Sequence, residues 1–195
     1  RFEAGGQRSP VGRTRTAPAA DSTAPVRFGV ACCQHYEGRW YNSLHALLAD
    51  PPDFLLHLGD AIYEYAGDPA ASGERHIAFD DAAGAISDGA HGNPCARSLD
   101  NYRQLHRIYR SDALWQRLLA TVPLVAIWDD HEFANDCWQD VATYGNGLRD
   151  ERDTQRRRNA EQAYFEFMPV DIDVGATGAD GAQAVDAGLL FPQTR

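Results

Sequence analysis

No stretch of this chain approaches the roughly 18 consecutive apolar residues that a membrane-crossing helix requires. The basic surplus of a nucleic-acid binder is missing too: 18 arginines and lysines stand against 28 acidic residues, a formal charge of −10. A face that meets a phosphate backbone has to be positive, so nucleic acid is excluded as a structural partner. There is no Cys-x-x-Cys. The 4 cysteines, Cys32, Cys33, Cys95 and Cys137, lack the spacing of a structural zinc site or of a dithiol redox protein. Adjacent Cys32 and Cys33 close on each other only with strain, and Cys95 and Cys137 can pair if the protein is exported. No internal repeat is visible. Neither a secretory leader nor a methionine opens the chain. Its start at Arg1 and its end at Arg195 both read as the middle of a longer polypeptide.

What is present has the balance of a globular domain, 44% hydrophobic and 24% charged, in a length that suits one domain or slightly more. The acidic charge leaves a small phosphorylated substrate open. Carboxylates gathered around metal ions raise the acidic count, and the ions restore positive charge locally.

Residues 1–25 are rich in Gly, Pro, Arg, Ser and Thr and read as an extended linker leading into a domain over 26–195. Val26–Cys32 is short, apolar and partly β-branched, a strand pattern. Leu44, Leu47 and Leu48 stand at helical spacing within 41–50, and Pro51-Pro52 stops that helix. Phe54–Leu58 is apolar on both faces, as in a buried parallel strand. Residues 66–97 read as a long loop, which in a compact domain is usually functional. A helical pattern runs from an N-cap at Ser98 towards Val122, with a break at Arg110-Ser111-Asp112. Pro123–Trp128 is a third buried strand. Residues 150–168 form the clearest amphipathic helix, with Ala160, Ala163, Tyr164 and Phe167 on its apolar stripe and Arg156-Arg157-Arg158 on a solvated face. This order of strands and helices predicts an α/β layer fold with mainly parallel strands.

Each predicted strand ends in groups that ligate metals or titrate. The first ends at Cys32-Cys33-Gln34-His35, the second at Gly59-Asp60 with Tyr63 and Glu64 close behind, the third at Asp129-Asp130-His131-Glu132. Open α/β sheets bind ligands at the carboxyl ends of their strands, so the spacing points to a metal site assembled from several loops. A carboxylate such as Asp60 can bridge two cations. A thiolate from Cys33 and a phenolate from Tyr63 suit an acidic ion such as ferric iron. Asp130 suits a harder ion. His131 can serve as general acid to a leaving alkoxide, and two neighbouring cations can activate water for in-line attack at phosphorus.

Together, Phe28–Gln34, the Gly59-Asp60-x-x-Tyr63-Glu64-Tyr65 run and Trp128–Glu132 resemble successive motifs of PhoD-like alkaline phosphatases. These are distant relatives of purple acid phosphatases within the calcineurin-like metallophosphoesterase superfamily. Tyr109–Asp112 fits the same pattern, and Ser9–Pro18 resembles the join from that family's small N-terminal β-domain. The resemblance implies part of an α/β/β/α sandwich, cut short at its C-terminal side. It implies ferric iron held by Cys33, Asp60 and Tyr63, calcium held by Asp130, with Asp60 bridging, and His131 beside the substrate phosphate. It further implies a secreted or periplasmic enzyme acting on small phosphate mono- or diesters, with phospholipase D-type diesterases among its relatives. The family has a small residue where Cys32 stands, so assigning the ligand to Cys33 rather than Cys32 is an inference of register. Its remaining histidine and aspartate ligands lie further on, and nothing after Asp173 resembles them. The expectation is an incomplete metal site with little activity of its own.

Plainer readings stand beside these. Cys33 alone also fits a core thiol, and Asp60 after Gly59 a turn. Asp129 fits a group that orients its neighbour, Glu132 a structural partner, and His57 a satisfied core histidine. His35, Tyr36 and Trp40 fit either a substrate cleft or a surface aromatic cluster. His76, His91 and Cys95 fit a further metal site or none. A non-catalytic metal-binding relative and a thiol redox protein using Cys32-Cys33 are the competing functions.

Overall fold

The structure, a computed structural model, describes residues 1–87, 92–142 and 151–168. The strands β1 (Glu3–Ala4) and β2 (Gln7–Arg8) form an antiparallel hairpin. No helix or strand follows until β3 (Phe28–Ala31). This arm is pinned to the domain, with the Arg13 N–H on the Ala120 carbonyl and Arg15 paired to Asp53. Then come α1 (Leu44–Ala49), β4 (Phe54–His57), α2 (Pro69–Ser72), β5 (Ile86–Ser87) and β6 (Pro94–Cys95). After these lie α3 (Leu99–Tyr109), α4 (Ala113–Leu119), β7 (Leu124–Ala126), β8 (Val141–Ala142), β9 (Glu151–Arg152) and α5 (Thr154–Phe167).

The element that positions the site is a parallel sheet in the order β3-β4-β7. Phe28 stands opposite Phe54, Ala31 opposite His57, and His57 opposite Ala126. Parallel strands need crossovers, which α1 provides between β3 and β4, and α3 and α4 provide before β7. All their carboxyl ends therefore reach one edge.

Local chemistry explains the helices. At α3, Ser98 accepts the Asn101 N–H while the Asn101 side chain accepts the Ser98 N–H, a reciprocal cap. The break expected at 110–112 is real: Asp112 accepts the N–H groups of Leu114 and Trp115 and starts α4. Asp153 caps α5 through the Arg156 N–H at 2.9 Å. The face of α3 carrying Tyr102, Leu105 and Tyr109 is buried with Ala160 and Ala163 of α5 in one apolar cluster.

Two expectations are corrected. Arg156 and Arg157 are not on a solvated face; they are 1% and 5% exposed. Arg156 donates from Nε to the Ala96 carbonyl at 2.8 Å and lies 5.4 Å from the Phe133 ring centre. Arg157 pairs with Glu161 at 2.7 Å and stacks 4.8 Å over Trp128. Position 156 continues the inward stripe of 160 and 163 by one helical turn, and the guanidinium's flat, weakly hydrated faces tolerate aromatic burial. The second correction concerns the sheet. Its helix-facing side is buried, with Leu55, Trp115, Leu118, Leu44 and Val122 in one cluster. On its other side Phe28, Val30, Val125 and Ile127 are 55%, 53%, 50% and 54% exposed. An apolar run tells that both faces want cover; it does not say what supplies it.

The region 66–97 holds short turns and strands rather than a bare loop. Buried Glu37 ties it down by accepting the N–H groups of Gly67 and Ile77, the latter at 2.7 Å. Cys95 and Cys137 are both free thiols.

Candidate metal centre

Two residues at the carboxyl edge of the sheet adopt left-handed backbone, Cys33 at φ 53° and Asp60 at φ 56°. For side chains other than glycine this conformation costs about 1–2 kcal/mol and tends to mark functional sites. Gly59 before Asp60 has φ 99°, and a Cβ there would stand 2.3 Å from the Asp129 nitrogen. Only glycine lets the ends of β4 and β7 approach this closely. The Cys33 and Gln34 N–H groups donate to the Gly59 and Asp60 carbonyls at 3.2 and 2.9 Å, which locks the β3 end onto the β4 end.

Glu132 joins the third loop to this pair. It is 3% exposed. Its carboxylate accepts the N–H groups of Asp60 at 3.0 Å, Ala61 at 2.6 Å and Asp129 at 2.8 Å. Burial pushes its carboxyl up to about 7, against the pull of those three donors. Glu132 is thus a structural clamp. Asp129 is exposed and accepts the Asp130 N–H at 3.0 Å, which orients its neighbour.

Held this way, ligand atoms of Asp60, Asp130 and His131 lie within 4.8 Å of one another. The Tyr63 hydroxyl donates to Asp60 at 3.4 Å. The Cys33 side chain interacts with both Asp60 and Tyr63. Asp60, Asp130 and His131 thus share one place with the Tyr63 hydroxyl beside them, while Cys33 is joined to the Asp60 loop through its backbone. Cys33 is exposed rather than a core thiol.

The electrostatics at these residues suit a bound cation. Burial raises the Asp60 carboxyl against the pull of His131 and Cys33, and Asp130 and Asp129 add to the rise. Desolvation, Cys32 and Asp60 push the Cys33 thiol up to about 11. Burial, then Asp60 and Cys33, raise the Tyr63 hydroxyl. Each deprotonation adds a negative charge beside others; a cation in their midst reverses that cost. Thiol, phenol and carboxylate together suit an acidic, borderline-soft ion, and the paired carboxylates suit a harder one. The donor set accordingly could hold a cation.

His131 is governed by Glu64, whose role the sequence reading missed although it sits one residue after Tyr63. Glu64 is 0% exposed; it meets His131 Nδ1 at 2.7 Å and accepts the Asn135 N–H at 2.9 Å. Burial alone lowers the imidazole, but the Glu64 hydrogen bond and the charges of Glu64, Asp130 and Asp60 prevail and raise it. The Tyr63 ring is flanked by His131 at 4.1 Å and by His35, edge-on, at 4.6 Å. His35 thus belongs to the site wall, its imidazole lowered to about 4 by burial, Arg39 and His131. Tyr36 packs instead on Tyr109, and exposed Trp40 stacks near Arg75.

His57 is a satisfied core histidine. It meets Gln34 Oε1 through Nε2 at 2.9 Å and accepts the Gly59 N–H at Nδ1 at 3.3 Å. A third metal site receives no support: His76 faces Glu37 at 3.2 Å, and His91 lies outside the described residues. Among the described residues, the Asp60–Asp130–His131 group alone meets the geometry for a cation.

An α/β layer that gathers such donors at the carboxyl edge of a parallel sheet has the architecture of a metallophosphoesterase sandwich. A family model described as PhoD-like phosphatase matches residues 28–185, and the chain belongs to that family. Alkaline phosphatase D of Bacillus subtilis (strain 168) is 35% identical over 181 residues, covering 92% of this chain and 29% of that protein. A solved structure of PhoD matches with a TM-score of 0.68 at 32% identity, over 90% of this chain and 31% of that one. The chain thus spans about three tenths of the length of these relatives.

Proposed function

We propose that this chain supplies the front part of the metal centre of a phosphate-ester hydrolase. The observation that carries the reading is the convergence of Asp60, Asp130 and His131 within 4.8 Å, with Tyr63 and Cys33 against Asp60. Cys33, Asp60 and Tyr63 would hold ferric iron; Asp60 and Asp130 would hold calcium. Bound there, such cations would activate water and neutralise the charge that develops on the phosphoryl oxygens.

The remaining work falls to the chain's own groups. Asp60 keeps spare lone pairs for bridging after accepting the His131 N–H at 3.4 Å. With Nδ1–H engaged by Glu64, the imidazolium of His131 has its Nε2–H left to deliver a proton to the departing alkoxide. Glu132 holds the Asp60 and Asp129 loops at one spacing, so the carboxylates need not reorganise during the reaction. His35 and Tyr63 wall the site and would meet the organic part of a small mono- or diester. An exported setting suits such an enzyme.

The test is iron content per purified chain, by plasma mass spectrometry, with hydrolysis of p-nitrophenyl phosphate and bis-p-nitrophenyl phosphate under iron and calcium. About one iron per chain, lost in Asp60→Asn, is the expected result. Wild-type chain that takes up neither metal under any loading condition would sink the reading.

A further inference from the structure

Cys32 takes no part in the centre described above, yet it adjoins Cys33, and both residues are exposed. In extended backbone, consecutive side chains point to opposite faces, which would part the two thiols. That alternation is broken here. β3 ends at Ala31, and Cys33 turns left-handed at φ 53°. Its N–H is tied to the Gly59 carbonyl at 3.2 Å, and the Gln34 N–H to the Asp60 carbonyl at 2.9 Å. In this turn the Cys33 thiol interacts with the Cys32 side chain as well as with Asp60. The other thiols are less accessible, Cys95 buried and Cys137 half-buried behind Asp130 and Arg157.

Two adjacent, solvent-facing thiols form a donor pair of different character from the oxygen-rich Asp60–Asp130 set. Thiolates select soft, thiophilic ions over hard ones. We propose that Cys32 and Cys33 form an exposed vicinal dithiol site for thiophilic species, trivalent arsenicals foremost, and that its occupation withdraws Cys33 from the Asp60–Tyr63 centre. With phenylarsine oxide the step balances without redox change. Two As–S bonds form, the arsenic–oxygen bond breaks, and the two thiol protons leave with that oxygen as water. A second sulfur held beside the first adds intramolecularly, so the chelate should exceed a single-thiol adduct in affinity by about a hundredfold.

The experiment titrates the reduced full chain with phenylarsine oxide, reading adducts by intact mass and affinity by competition with dimercaptopropanol. One arsenic per chain is expected. Cys32→Ser and Cys33→Ser should each weaken binding about a hundredfold, whereas the Cys95→Ser/Cys137→Ser double variant should bind like wild type. Circular dichroism confirms that each variant is folded. The arsenical should also block iron uptake in wild type but not in Cys32→Ser, which retains Cys33. Full-affinity binding in Cys32→Ser, or its loss in the Cys95/Cys137 variant, overturns the proposal. A chain that takes up no iron but binds arsenic through Cys32 and Cys33 would sink only the phosphatase reading.

Discussion

Glu64 Oε2 lies 2.7 Å from His131 Nδ1, inside a pocket where Glu64 itself is 0% exposed. The other carboxylate oxygen accepts the Asn135 N–H at 2.9 Å, so both oxygens are committed as acceptors. That holds one ring proton on Nδ1, and in the imidazolium, which Glu64 favours, leaves the Nε2–H facing the site.

Glu64→Gln should disturb this arrangement without emptying the pocket. A carboxamide has one oxygen, and satisfying Asn135 turns its NH2 group towards Nδ1. The neutral His131 ring should then move its proton to Nε2. Nitrogen-15 shifts of His131 at alkaline pH would report the flip. Without the Glu64 charge less of the ring is imidazolium, and where turnover is measurable the loss should approach the 10²-fold scale of general-acid removal and fall hardest on esters with poor leaving groups. An unchanged tautomer would show that Glu64 does not govern the ring.

Glu132 makes a separate prediction about stability. Glu132→Ala strands three amide N–H groups, on Asp60, Ala61 and Asp129. At about 1 kcal/mol or more for each unsatisfied donor, the loss should reach about 3 kcal/mol in urea unfolding. Glu132→Gln retains one acceptor oxygen and should lose less. Equal, small losses in both variants would mean the clamp does not hold the loops together.

Acid sensitivity should come from two core histidines. His57 and His106 are 0% and 1% exposed, and burial, helped by Arg110, lowers them to about 4 and about 3. The unfolded chain takes up these protons near pH 6.5, the folded chain only well below it. Their contribution is therefore complete above about pH 6.5 and falls as pH drops, by up to about 1.4 kcal/mol per unit for each histidine. His106→Phe, placed against Phe167 where His106 now stacks at 5.2 Å, should flatten the decline between pH 6.5 and 5. Parallel slopes in wild type and variant would rule His106 out as a source.

The open side of the sheet predicts dye binding. Phe28, Val30, Val125 and Ile127 are each at least half exposed, an apolar patch of the kind that marks an interaction surface. The chain should enhance anilinonaphthalene sulfonate fluorescence, and Val30→Thr with Ile127→Thr should reduce it while leaving the melting temperature near wild type. No enhancement in wild type would mean the face is covered in solution.

Much of this was legible in the residues. The strands, the break at Arg110–Asp112 and the Ser98 cap follow from periodicity and capping chemistry, which act over a few residues. Cys33, Asp60, Tyr63, Asp130 and His131 were nameable because each follows an apolar run. Glu64 and Glu37 were not, since a buried carboxylate's purpose lies in the distant N–H groups it accepts, Asn135 for one and Ile77 for the other. Arg156 and Arg157 were misplaced because a charged pair at a helix start reads as solvated until its aromatic neighbours are known.

By itself the sequence determined an α/β order of elements, the donor types at each strand end, and glycine at position 59, where a side chain would strike the Asp129 backbone. The tertiary structure alone decided that the ends of β4 and β7 bring Asp60, Asp130 and His131 within 4.8 Å, which carboxylate clamps and which orients, and which face of the sheet lies open. Those outcomes depend on parallel register and on contacts across some 70 residues of chain, such as Asp60 with Glu132 at |i−j| of 72. Local propensity carries no information over that span, because packing and hydrogen-bond satisfaction are settled only when the strands are side by side.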